Sequence, residues 1–147
     1  MSLYRILCAW RILLPIKLGA HHFLLTSDKA QFEAAQNTFD FILDTVSAPH
    51  DIAAYMSLLK TDGTHICVGA PPEPSQIPAF ALIVGRKSVA GSMIGGLPET
   101  QEMLDFCAAN NIVSDVEVID IKDIATAYER MLKGDVRYRF VIDMATL

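Results

Sequence analysis

The chain has little of what usually announces a function. It holds one tryptophan and three cysteines among 147 residues. Cys8, Cys67 and Cys107 are odd in number and far apart, so they make neither a disulfide framework nor a zinc ribbon. Reduced thiols in a cytoplasmic protein are the expectation. Runs of lysine or arginine are missing too. Twelve basic against seventeen acidic residues leave a net charge of −5, which disfavours nucleic acid and anionic lipid as partners. The longest apolar run, residues 77–85, contains Pro78 and stops at Arg86, too short to span a membrane. Residues 1–16 have a signal-like flavour, but Arg11 interrupts their apolar stretch and the small-residue exit is weak, so secretion is not expected. Neither GxSxG, GxxxxGK[ST] nor GxGxxG occurs. His21 and His22 are adjacent and point to opposite faces of any strand. His50 and His65 stand alone. Cys67 and Cys107 sit in apolar surroundings and read as buried structural thiols. Motifs alone write no catalytic centre and no metal site.

What is present suits an ordered domain. Apolar residues make up 52% and charged residues 20%, against disorder. A chain of this length is one ordinary domain that can bury roughly two thirds of its unfolded surface. The mean hydropathy of +0.32 is high for a soluble domain. Short apolar runs at residues 22–26, 39–46, 64–68, 88–94, 116–121 and 137–143 predict strands. Between them, helices are predicted over residues 29–36, after Pro49, at 79–84 as a single turn, at 98–110 and after Asp123. Ser27 or Asp28 is placed to cap the first of these. Ile52, Tyr55, Met56 and Leu59 make one stripe, ended by Gly63. Met103, Phe106 and Cys107 form the buried side of the 98–110 helix. Ile124, Ala127, Tyr128, Met131 and Leu132 make a second stripe, stopped by Gly134. This alternation predicts an α/β domain with a mainly parallel sheet.

In such sheets ligands sit beyond the carboxyl ends of the strands. Those ends carry Thr45 and Val46, then Val68, Gly69 and Ala70, then Ser92, Met93 and Ile94. Their glycines could let a flat ligand lie against backbone. Equally, glycine and proline follow strands in ordinary turns. Spacing alone leaves both readings open.

Four stretches carry more: LGAHHFLLTSDK, FDFILDTVSAPHDIAAYMSLLKTDGTHICVGAP, GRKSVAGSMIGGLPETQEMLDFCAANNI and DVRYRFVIDM. Together they resemble the carboxy-terminal part of zinc-dependent medium-chain alcohol dehydrogenases of the cinnamyl alcohol dehydrogenase type. The resemblance implies reversible conversion of small alcohols and aldehydes with NADP(H). It implies Thr45 and Val46 beside the adenosine half of the cofactor. Val68, Gly69, Ala70, Ser92, Met93 and Ile94 would pass along the nicotinamide, and Arg137 would reach the pyrophosphate, where a planar guanidinium matches phosphate oxygens.

The zinc-ligand domain of that family, and the first two strands of its nucleotide-binding sheet with their glycine-rich turn, have no counterpart in these residues. The expected fold is therefore an incomplete Rossmann-type sheet lacking two central strands, with a carboxy-terminal strand–helix–strand. The expected parts are a lead segment at 1–17, a partial nucleotide-binding domain at 18–111, and a segment at 112–147 that in the family returns to the catalytic domain. Residues 4–16 could replace a lost strand or form a helix. Weak or absent cofactor binding and no turnover by these residues alone are expected, with homodimerisation through strand 88–94. The alternative is a non-catalytic remnant that dimerises or binds nucleotide weakly.

Overall fold

A computed structural model describes residues 4–7, by their backbone, and residues 19–147. The chain divides into two compact units, residues 1–93 and 94–147.

In the first unit, β1 (Tyr4–Leu7) pairs in parallel with β2 (His22–Leu25), Tyr4 opposite His22. Part of the lead segment thus forms a strand; residues 8–16 lie outside the described residues. A second, separate sheet holds β3 (Phe39–Asp44), β4 (Leu59–Cys67) and β5 (Ser88–Gly91), all parallel and in that order. Among the described residues β3 therefore pairs on one side only. The crossovers carry three short helices: α1 (Lys29–Ala34), α2 (Ile52–Met56) and α3 (Ala79–Ile83). Asp28 caps α1, its Oδ1 accepting from the Ala30 and Gln31 amides at 3.0 and 3.2 Å. Asp51 does the same for α2 through the Ala54 amide. Each cap satisfies amides that have no partner within the helix.

The core of this unit is small and well closed. Leu58 and Leu59 are fully buried, and Ile52, Met56, Phe39, Ile42 and Leu24 pack with them. Period-two alternation sets the two faces of β3. Ile42 and Asp44 are buried, whereas Phe41 and Leu43 are 65% and 63% exposed.

Two expectations change here. The helix after Pro49 ends at Met56, and Leu59 opens β4 instead of completing a helical stripe. Gly63 does not end the unit; it lies within β4. Phe39 faces Leu59 and Phe41 faces Thr64, so residues 60–63 loop out of register inside the strand. Asp62 takes a left-handed φ of 63° there, and its carboxylate holds Arg86 at 2.7 Å.

The second unit contains α4 (Leu97–Ala109), β6 (Glu117–Asp120), a 3-10 turn, α5 (Ile124–Leu132) and β7 (Phe140–Asp143). β6 and β7 pair in parallel, Glu117 opposite Phe140. Gly134 takes a φ of 68° just past α5, a conformation that suits glycine. Arg130 Nη2 reaches Glu117 Oε2 at 2.8 Å, and its Nε reaches Asp135 Oδ2 at 2.9 Å. The guanidinium also sits 4.9 Å above the Phe140 ring. The expected burial along α4 is not found. Met103 and Phe106 are 51% and 61% exposed, and Cys107 is half-buried beside the Met103 sulfur. Of the α5 stripe only Ala127 is buried. The stripes exist, but within this unit too little chain packs on them to cover them.

Candidate functional site

Because β3, β4 and β5 run parallel, their carboxyl ends open at one edge. Asp44 stands opposite Cys67, and Cys67 opposite Gly91. The backbone beyond each end is tied to its neighbour. The Asp44 carbonyl accepts from the Val68 and Gly69 amides, both at 2.9 Å, and the Cys67 carbonyl accepts from the Ser92 amide at 3.1 Å. The Ala70 amide approaches Ser47 Oγ at 3.4 Å. A Cβ on Gly69 would collide with the Val46 carbonyl and lie 2.7 Å from the Val46 nitrogen. No side chain fits there, so the two strand ends touch backbone to backbone.

The structure thus gathers Thr45, Val46, Val68, Gly69, Ala70, Ser92 and Met93 along one edge of the first unit. Val46, Val68 and Met93 are exposed apolar groups there. Ile94 opens the second unit. Arg137 also belongs to it, just before β7 and exposed, with its amide donating to Glu117 Oε1 at 3.1 Å.

Sequence reasoning missed what stands behind this edge. His50 and His65 are not alone: both meet Asp44, a carboxylate only 9% exposed. His50 Nε2 lies 2.8 Å from Asp44 Oδ2, and His65 Nε2 lies 3.3 Å from the same oxygen. Asp44 Oδ1 accepts from the Val46 amide at 2.9 Å. His50 Nδ1 lies 2.8 Å from the Ala48 carbonyl oxygen. His65 is 1% exposed, and its Nδ1 has no hydrogen-bond partner among the described residues. Burial pushes the Asp44 carboxyl up, but the Val46 amide and the two imidazoles outweigh it and hold it below the ordinary carboxylate value. The Ala48 carbonyl raises the His50 pKa; burial opposes this, and Asp44 and Asp51 add to the rise. Burial, then the Asp44 charge, pushes the Cys67 thiol up. Both described cysteines are half-buried, not fully buried.

Asp44, His65 and Cys67 each offer one ligand atom, all within 4.8 Å of one another. Distance alone would admit a cation. The chemistry does not fit one. The carboxylate already accepts from the Val46 amide and meets two imidazoles, and the thiol is held protonated, whereas a metal needs thiolate and free lone pairs. No step through zinc is derived from these residues.

A family model described as "Zinc-binding dehydrogenase" matches residues 10–109, well over half of the chain. The chain belongs to the zinc-binding dehydrogenase family. Its relatives in that family include a probable formaldehyde dehydrogenase of Bacillus subtilis, 54% identical over 132 residues, covering 90% of this chain and 38% of that protein. A cinnamyl alcohol dehydrogenase of Arabidopsis thaliana is 53% identical over 129 residues, covering 88% and 34%. Among solved structures, a cinnamyl alcohol dehydrogenase of Sorghum bicolor superposes with a TM-score of 0.88 at 44% identity, over 99% of this chain and 42% of that one. The Helicobacter pylori enzyme, complexed with NADP(H), gives 0.80 at 32%, over 98% and 41%. The expected fold, a parallel-sheet α/β structure matching the carboxy-terminal Rossmann-type part of medium-chain alcohol dehydrogenases, is found. The chain spans about two fifths or less of the length of these relatives.

Proposed function

We propose that these residues form the cofactor-binding, carboxy-terminal part of a cytoplasmic NADP(H)-dependent alcohol dehydrogenase or aldehyde reductase. The observation that carries this reading is the strand-end edge, where backbone meets backbone at Gly69 beside the exposed apolar groups of Val46, Val68 and Met93. Such a wall suits a flat ring laid against main chain. The Helicobacter pylori relative, complexed with NADP(H), supports the choice of cofactor. In this reading Thr45 and Val46 flank the adenosine half. Val68, Gly69, Ala70, Ser92, Met93 and Ile94 line the nicotinamide, and Arg137 meets the pyrophosphate. The bound nicotinamide supplies the hydride chemistry. This chain's own contribution is to orient the ring and keep water from one of its faces. The partial nucleotide-binding domain runs over residues 18–111, and residues 112–147 return to a catalytic domain. Two copies join through the β5 edge, which is exposed along its whole length.

Binding by these residues alone is weak, and they do not turn over substrate, because by the family resemblance the glycine-rich cofactor turn and the zinc ligands have no counterpart among these residues. Titrating NADPH into the purified chain and following its fluorescence tests the first point. Weak saturation is expected; a change that never saturates removes the cofactor reading, and tight binding removes the weakness. Incubation with NADPH and benzaldehyde tests the second. No NADPH oxidation is expected, and steady oxidation above the protein-free rate overturns the inactivity.

A further inference from the structure

We propose that His50 is held as a doubly protonated imidazolium and is the positioning residue that locks the ends of β3 and β4 around Asp44. That these ends face a cofactor rests on the function proposed above; the lock itself does not.

The assignment follows from the partners of the ring. Nδ1 lies 2.8 Å from the Ala48 carbonyl oxygen and Nε2 lies 2.8 Å from Asp44 Oδ2. A carbonyl and a carboxylate only accept, and a neutral imidazole has one N–H. Satisfying both contacts takes the second proton, and 2.8 Å lies within the range of a charge-assisted bond. His65 is the opposite case. Its Nε2 donates to Asp44 Oδ2 at 3.3 Å, while its Nδ1 is buried with no partner among the described residues. A second proton there would be a buried donor with no acceptor among the described residues. One carboxylate thus holds two imidazoles, and of the two only His50 has an acceptor at each ring nitrogen among the described residues.

Asp44 links this pair to both strand ends. Its Oδ1 takes the Val46 amide, its carbonyl takes the Val68 and Gly69 amides, and Gly69 in turn abuts Val46. The groups that face His50 are Asp44 from β3, His65 and Cys67 behind Asp44 from β4, the Tyr55 ring from α2 at 5.7 Å, and the Asp51 charge at the α2 cap. The lock holds while His50 is charged. That condition is met below the ordinary imidazole value and persists until pH rises through the elevated value of the folded state. Beyond it the ring keeps one proton and one of its two contacts breaks, freeing residues 45–50.

The test is a histidine-ring nitrogen NMR titration of the whole chain from about pH 5 to about pH 10, with amide exchange followed alongside. Near neutral pH, both ring nitrogens of His50 are expected to be protonated, with a midpoint above that of free imidazole. Exchange at Val46, Val68 and Gly69 is expected to accelerate beyond the intrinsic rise with hydroxide as His50 titrates. In Asp44→Asn the His50 midpoint is expected to fall below that of the unmodified chain, and in His50→Gln the exchange step is expected to vanish. A neutral His50 near pH 7, or amides that ignore its titration, overturns the proposal. If either variant fails to fold, the unmodified chain still decides. No nucleotide is added, so failure of the cofactor reading leaves this result standing, and the reverse holds too.

Discussion

The two units use similar apolar patterns with opposite results. In residues 1–93, Leu58, Leu59 and Met56 are at most 1% exposed, and a buried polar cluster is hydrogen-bonded within that packing. In residues 94–147, α5 carries a full apolar stripe, yet Met131 and Leu132 are 50% and 85% exposed. An apolar stripe says which side of a helix seeks cover, not whether cover exists. Here the difference is the width of the sheet: the larger sheet of the first unit has three strands, whereas that of the second unit has two.

That comparison breaks if truncating the two cores costs the same. Leu59→Ala is expected to lose about 2–5 kcal/mol through lost transfer and a residual cavity. Met131→Ala is expected to lose less than about 1 kcal/mol, as an exposed substitution does. Urea titrations of both variants, read by probes in each unit, check this. Gly69→Ala comes next, at about 1–3 kcal/mol, because the added Cβ forces the Val46 backbone away. It should show as faster amide exchange at residues 44–46 and 68–70 with β6 and β7 unaffected. Asp28→Ala is expected to cost about 1 kcal/mol, since the α1 amides of Ala30 and Gln31 lose their acceptor; thermal unfolding measures it. The smallest effect separates the units by pH. His50 in the first unit has a raised pKa, so its contribution is present at low pH and lost as pH rises through the raised value. Glu117 in the second is held low, first by Arg130, so its contribution is present above the ordinary carboxylate value and lost as pH falls through the depressed one. Side-chain NMR titration should place the first transition above the ordinary imidazole value and the second below the ordinary carboxylate value.

Much of the fold was legible because the strands are short apolar runs and α1 begins at a side-chain cap, Asp28. The helix expected at residues 98–110 lies one residue earlier at each end. β4 was half legible. Residues 64–68 read as a strand, but Thr61, Asp62 and Gly63 carry turn chemistry and so appeared to separate it from Leu59. In three dimensions that turn loops out of register while the strand continues through it. The strand-end residues were named through family resemblance, since Gly after a strand has two readings. The Asp44, His50 and His65 cluster was not seen because no spacing motif encodes it: one contact crosses two strands and the other closes a loop. One signal was available. Period two puts Asp44 on the same side of β3 as Ile42, and a carboxylate on a buried side must find donors.

The outermost strand of the three-stranded sheet, Ser88–Gly91, has only four residues, with Val89 its single large apolar group. Open-ended cross-β stacking draws on segments of about six or seven residues with strong β-propensity. An edge this brief can zip to one matching edge around a two-fold axis, but it offers too few rungs for a fibril to grow from it.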